Sequence, residues 1–238
     1  MAKILHIETA TQVCSVALSV DGKVMHIRES REKNSHSTTI TVFIEQIMQA
    51  AGIPFAAIDA VAVSMGPGSY TGLRIGVSTA KGICYALDKP LIAINTLHSM
   101  AAGMKIEMES HFKEIPSLPV QLCPMIDARR MEVYNALYDN ELNTVRATQA
   151  EIISEDSFRE ELENQIVVFA GDGAEKCKPM MENHPNAHFL DDFFPSATYM
   201  IGLAEKKFKA GDFENVAYFE PFYLKDFIPG IPKVKGLR

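Results

Sequence analysis

No stretch of this sequence approaches the run of apolar residues needed to cross a bilayer. Residues 1–8 carry only a brief apolar run before an acid, without the long core of a secretory signal. Cysteine is sparse: Cys14, Cys84, Cys123 and Cys177 lie far apart with no C-x-x-C pair. That fits buried thiols in a reducing compartment rather than a disulfide or zinc framework. Basic residues are outnumbered, 23 against 30 acidic, and the net charge of -7 supplies no global field for collecting phosphates. The expectation is a cytoplasmic protein, outside the membrane, that does not hold nucleic acid strongly by itself.

Several catalytic fingerprints are also missing. There is no G-x-x-x-x-G-K-[ST], no G-x-G-x-x-G, no H-E-x-x-H and no G-x-S-x-G. His184 and His188 stand four apart, but Pro185 between them opposes a continuous helix and replaces the glutamate a metalloprotease needs. No catalytic constellation and no metal-binding set emerges.

What the 238 residues do offer is an ordinary globular balance: 47% hydrophobic, 22% charged, mean hydropathy +0.01. Apolar runs at 3–8 and 13–20 predict strands, and Asp21-Gly22 turns the chain back through 23–27. After Ser35-His36-Ser37, residues Ile40, Phe43, Ile44, Ile47, Met48 and Ala51 recur at helical spacing until Gly52 and Pro54 stop them. A strand over 58–65, a helix over 71–87 and a strand over 91–95 follow, which is the order of β-α-β crossovers. Charges at Lys105, Glu107, Glu109, Lys113 and Glu114, then Pro116 and Pro119, mark a boundary. The second half repeats the order: strands near 120–126, 131–138 and 142–148, a helix capped by Ser154, a strand over 165–170, and Gly171-Asp172-Gly173 opening a helix. The predicted class is α/β: an N-terminal lobe over 1–105 and a C-terminal lobe over 106–238, each a mixed sheet flanked by helices. A helix over 196–210 packs back, and Pro221, Pro229 and Pro232 mark an irregular tail over the surface.

The most informative segment is Gly66-Pro67-Gly68-Ser69-Tyr70-Thr71-Gly72-Leu73-Arg74-Ile75-Gly76. Its glycines permit close backbone approach just before a helix, which suits either a structural turn or an anion site. Gly72, Gly76, Ala80 and Cys84 form a ridge of small residues that suits close helix packing inside the molecule or at an interface. Ile40, Phe43, Ile47, Gly72, Gly76 and Ala80 are therefore the interface candidates. Thr9, Gly171, Asp172 and Gly173 are the phosphate-proximal candidates, and Gly66, Gly68, Thr71, Gly72 and Arg74 form the motif turn. Glu8 and Asp172 are the carboxylates nearest these turns. Asp127, Arg129, Arg130 and Glu132 sit where one strand ends and another begins, either pairing with each other or serving a site.

The segment GPGSYTGLRIGVSTAKG at 66–82 closely resembles the signature of the TsaB (YeaZ) family. Ile7-Glu8-Thr9-Ala10-Thr11, Asp127-Ala128-Arg129-Arg130-x-Glu132-Val133-Tyr134, Gly171-Asp172-Gly173-Ala174 and Glu220-Pro221-x-Tyr223-Leu224 extend the likeness over almost the whole chain. The resemblance implies a two-lobed fold of the actin/Hsp70 (ASKHA) kind. It implies a non-catalytic subunit beside the transferase TsaD, with the ATPase TsaE as third partner, in forming threonylcarbamoyladenosine (t6A) at adenosine 37 of tRNAs reading codons that begin with A. It further implies homodimers that share one helical surface with TsaD, no intrinsic cofactor, ATP and metal on the partner subunits, and tRNA reached only through the complex. Thr96 and Met100 stand where relatives of TsaD have two metal-binding histidines, and Met131 stands where the family has glycine. Two other readings stay in play: an ATP-binding phosphotransferase or ATPase of the same superfamily and, more remotely, a metalloprotease.

Overall fold

The structure, a computed structural model, describes residues 1–32, 36–111 and 118–225. Ser35, Lys113, Glu114, Pro116, Pro229 and Pro232, used above, lie outside the described residues.

Two five-stranded sheets carry the fold. In the first, β1 (Lys3–Glu8), β2 (Cys14–Val20) and β3 (Lys23–Ser30) form an antiparallel meander. Strands β4 (Ala60–Gly66) and β5 (Leu91–Asn95) add parallel to β1, giving the order β3-β2-β1-β4-β5. Helices α1 (His36–Ala51) and α2 (Tyr70–Leu87) are the connections. The second sheet repeats the plan: β6 (Val120–Asp127), β7 (Glu132–Asp139) and β8 (Thr144–Ile152) form the meander, with β9 (Ile166–Ala170) and β10 (Ala187–Leu190) added parallel. Its order, β10-β9-β6-β7-β8, is the first sheet's order read from the other end. Helices α4 (Arg159–Asn164) and α5 (Asp172–Met181) stand where α1 and α2 stand in the first lobe. The duplicated two-lobed plan inferred from the order of elements is present.

Side chains alternate between faces with the strand period of two. Leu5, Ile7, Val61 and Val63 face Ile40, Ile44, Ile47 and Met48 of α1 and Val77, Ala80 and Cys84 of α2. Their neighbours Ile4, Ala60, Ala62, Ile92 and Ile94 face the opposite side. That side is covered by Met200 and Ala204 from a 3₁₀ turn (Ala197–Met200) and α6 (Ile201–Ala210), elements that follow the second sheet in the chain. The reverse happens at α3 (Thr96–His111), which follows the first sheet yet lays Leu97, Met100, Ala101 and Met104 on Leu122, Ile126, Val168 and Ala170 of the second. The lobes thus exchange their closing helices. The segment 196–210 does pack back, with the Ser196 hydroxyl accepting from Thr198 N (3.2 Å) at its start.

Three sequence expectations change. The division at 105/106 falls inside α3, which was not foreseen because its apolar residues spread around the helix, enclosed by both lobes. Asn95 was the local signal, since its Oδ1 accepts from Leu97 N (2.9 Å) and His98 N (3.2 Å) and caps the helix. The helix after β8 begins at Arg159 from a left-handed Phe158, not at Ser154; Ser154 N instead donates to the Ser157 hydroxyl (3.1 Å). Strand β10, which carries His188, was also missed, and His184 lies in the loop before it, so the two histidines share no helix.

Candidate functional site

In parallel α/β sheets, ligands bind beyond the carboxyl ends of the strands where the order reverses. Here those ends are β1 and β4 in one lobe, at Thr9 and Gly66, and β6 and β9 in the other, at Asp127 and Gly171. Of the sequence candidates, Thr9, Gly66, Asp127 and Gly171 to Gly173 lie at or beside these ends.

Their glycines, however, approach the chain's own backbone. A Cβ on Gly72 or Gly76 would come within 3.0 Å of Thr9, on its carbonyl or hydroxyl oxygen, and one on Gly68 within 3.0 Å of the Ala10 carbonyl. Contacts this short leave no room for any side chain. Thr9 is fully buried and its hydroxyl donates to the Gly72 carbonyl (2.9 Å), while Ser69 N donates to the Ala10 carbonyl (2.6 Å). Gly66 is left-handed (φ 116°), and a Cβ there would meet the Phe222 carbonyl at 2.6 Å; Phe222 N donates to the Met65 carbonyl (2.7 Å). The motif turn is thus a clasp between the 9–11 loop, the start of α2 and the C-terminal stretch. Thr71 and Arg74 stay exposed; Arg74 lies over the Tyr70 ring (5.3 Å), which packs on Tyr223 (5.0 Å). In the second lobe Gly171 is left-handed (φ 100°), and Cβ atoms on Gly171 and Gly173 would come within 3.0 Å of Met125 and Ile126.

Between the lobes, Thr11, Gln12 and Asp172 do meet, but around a space of about 10 Å³ closed by Met100, Phe193, Phe194 and Pro195. That holds about one water, whereas ligand pockets run to about 300–1,000 Å³. Phe193 stacks on Tyr199 (5.6 Å), the Arg31 guanidinium lies over Phe194 (4.0 Å), and Ala197 N donates to the Ser15 hydroxyl (2.8 Å), so the plug is fastened to both lobes. Spacing along the chain does not announce this plug, because what closes it comes from both halves of the sequence.

The carboxylates near the cleft are similarly committed. Glu8 is fully buried, and its Oε1 accepts from Ala10 N (2.6 Å). Burial raises its carboxyl to about 7 against the lowering effect of the Ala10 hydrogen bond, which leaves a half-neutral acid at pH 7. Asp172 keeps solvent access on one side; its Oδ1 accepts from Asp127 N (2.9 Å), and desolvation on its protein side raises its pKa. Thr96 is buried and accepts from Gly66 N (3.2 Å), Met100 packs in the second lobe, and His98 stacks on Tyr138 (4.9 Å) with burial lowering its pKa. Among the described residues no group of three or more His, Cys, Asp or Glu could hold a metal. All four thiols are buried, and burial pushes Cys14 and Cys84 up to about 11.

The interface candidates need correction. Ile40, Ile47, Gly72, Gly76 and Ala80 are buried in their own lobe, and Phe43 packs against the same cluster, because the ridge of small residues serves the contact of α2 with Thr9 and the sheet. The outward stripe of α2 carries Thr71, Arg74, Ser78, Gly82 and Tyr85 instead, and Val42 is exposed on α1. Tyr85 is 86% exposed; Tyr218 is 84% exposed, in a stretch that Lys81 Nζ ties down through the carbonyls of Ala217 (3.2 Å) and Phe219 (2.8 Å). A separate groove of about 410 Å³, between α4 and the end of α5, contains His184 and none of the cleft residues.

Comparison with known proteins places this architecture. The family model described as TsaD, tRNA N6-adenosine threonylcarbamoyltransferase, matches residues 28–226. The chain is 31% identical to the tRNA threonylcarbamoyladenosine biosynthesis protein TsaB of Haemophilus influenzae, over 94% of this chain and 93% of that protein. The chain belongs to the TsaB family. Identity to the Escherichia coli TsaB is 30%, over 94% of this chain and 95% of that one. The structure of YeaZ from Pseudomonas aeruginosa superposes with a TM-score of 0.76 at 24% identity, covering 94% of this chain and all of the other, so the two share the fold. For this TsaB-family chain the glycine-rich signature is therefore a structural clasp. In the Asp127–Glu132 turn the left-handed backbone falls on Arg129 (φ 73°) and Arg130 (φ 53°), and not on Met131.

Proposed function

We propose that this chain is a non-catalytic subunit of the assembly that makes t6A in tRNA, binding and supporting a TsaD-type transferase. The observation that carries the proposal is the combination of near-full-length similarity to TsaB proteins with a cleft reduced to about 10 Å³ where the two sheets present their strand ends. A subunit so built contributes surface, while ATP, metal and the tRNA adenosine at position 37 are handled by its partners. The outward faces of α1 and α2, with Val42, Arg74, Tyr85 and the adjoining Tyr218, supply that surface, since exposed tyrosine and arginine are the side chains that anchor interfaces. The same face serves a homodimer and the transferase in alternation, TsaE is the third partner, and the assembly works in the cytoplasm. Among the described residues no helix is long and apolar enough to cross a membrane.

The test is t6A formation on unmodified tRNA with threonine, bicarbonate, ATP and the companion proteins of the same organism, with and without this chain. Modification that collapses without it, from a chain inert alone, supports the subunit reading. Equal modification in its absence sinks it.

A further inference from the structure

The turn between β6 and β7 presents a backbone choice that packing does not explain. Arg129 and Arg130 are consecutive left-handed residues, a conformation hairpin loops ordinarily fill with Asn and Gly because a Cβ is crowded there. Both are exposed, and neither guanidinium has an ion pair or hydrogen bond among the described residues. The charges around them are already paired. Lys176 binds the Asp127 carboxylate and donates to the Glu132 carbonyl (2.8 Å), and Lys225 binds the Glu132 carboxylate. Asp127 Oδ1 also accepts from Arg129 N (2.7 Å), and Asp172 accepts from Asp127 N (2.9 Å). Two ammonium groups, Lys176 and Lys225, thus stand among three carboxylates, Asp127, Glu132 and Asp172, beneath the turn, and the two forked cations project from it without an ion pair among the described residues. A strained conformation kept by residues that gain nothing in the fold points to a use outside it.

Arginine forks match the paired oxygens of phosphates and carboxylates, and a phosphate backbone is the dense anion that the proposed assembly handles. Neither arginine lines the 410 Å³ groove or the 10 Å³ cleft. We infer that Arg129 and Arg130 bind phosphodiesters of the RNA backbone, touching the tRNA once the transferase has recruited it. This rests on the functional reading above. With a net charge of -7 the chain does not gather RNA from a distance; the pair acts at contact range and positions the backbone without reading bases.

The test is the salt dependence of tRNA binding by the reconstituted complex, measured by fluorescence anisotropy between 50 and 200 mM salt. Two phosphate contacts steepen the plot of log K against log salt by about 1.8, which over that range is about a 12-fold greater loss of affinity. The double variant Arg129→Asn with Arg130→Gly is expected to lose that increment, to assemble normally, and to melt at the same or a higher temperature because the backbone strain is relieved. The variant with both arginines changed to lysine is expected to keep the steep dependence. An unchanged slope in the Asn-Gly variant overturns the assignment, as does a variant that fails to join the partner proteins, which would give the arginines to a protein contact. Weakened binding of ATP with tRNA binding unaltered overturns it in favour of a mononucleotide. The functional reading fails separately, if the wild-type complex modifies tRNA without this chain.

Discussion

Replacing Glu8 by glutamine removes a titration from the centre of the first lobe while leaving the shape of the side chain. The carboxyl is fully buried, keeps its hydrogen bond from Ala10 N at 2.6 Å, and is raised from 4.5 to about 7 chiefly by desolvation. In the unfolded chain the group ionises near 4.5, so between that pH and 7 the folded state holds a proton that the unfolded state has released, and stability falls as pH rises. With about 1.4 kcal/mol per tenfold change in proton affinity, the loss from pH 5 to pH 8 is about 2.5 kcal/mol. Glutamine retains the acceptor for Ala10 N and does not titrate. The difference in unfolding free energy between Glu8→Gln and the parent should move by about 2.5 kcal/mol in the variant's favour across that range. All other titrating groups cancel in the comparison. For a chain of this size the change corresponds to about 5–10 °C in melting temperature. Urea unfolding at pH 5, 6, 7 and 8 measures it. Parallel stability curves for the two proteins would show that Glu8 ionises normally in the fold and refute the reasoning.

His6 is buried, with Nε2 at 2.8 Å from the Ser19 hydroxyl, and burial lowers its pKa to about 3, so stability is lost as pH falls below 6.5; His6→Gln should recover about 2 kcal/mol of that loss between pH 7 and pH 5 in denaturant titrations. Gly72→Ala drives a Cβ into the Thr9 carbonyl and should cost about 3 kcal/mol or more, whereas Gly82→Ala on the open side of the same helix should stabilise by about 0.4–1 kcal/mol; similar melting temperatures for the two would contradict the clasp. Phe193→Ala should destabilise by about 3 kcal/mol without creating ATP affinity, and calorimetry that finds micromolar binding of ATP with Mg²⁺ would revive the phosphotransferase reading. Tyr85→Ala should leave stability within about 0.5 kcal/mol and weaken binding to the transferase by about tenfold or more; unchanged affinity would move the partner surface elsewhere.

Much of the fold was legible because strands such as β1, β4 and β9 signal themselves through β-branched residues, and helices α1 and α2 through a one-sided apolar face. Strand 91–95 and helix 71–87 agree with the structure to within a residue at either end. Helix α3 was not legible, since its surroundings come from both lobes and leave no one-sided pattern, and β10 is too short to announce itself. At the site, the sequence located the turns correctly and left their use open. Whether a glycine faces an anion or a carbonyl depends on where Thr9, Ala10 and Phe222 fall in space, which spacing along the chain does not encode. The ridge at Gly72, Gly76 and Ala80 was legible as a packing device, but its direction was not. A helix wheel reports which residues share a face and is silent on whether that face meets the chain's own sheet or another molecule.

The exchange of closing helices sets an order on synthesis. The face of the first sheet formed by Ile4, Ala60, Ala62, Ile92 and Ile94 is complete when residue 95 has been made, yet its cover, Met200 and Ala204, is more than a hundred residues away in the chain. At about 5–20 residues per second, that apolar face waits roughly 5–20 s on the ribosome before its own polypeptide can shield it. A fragment ending at 105 leaves that one face of the first sheet without its cover, and nascent chains present it to chaperones and to aggregation until α6 is made.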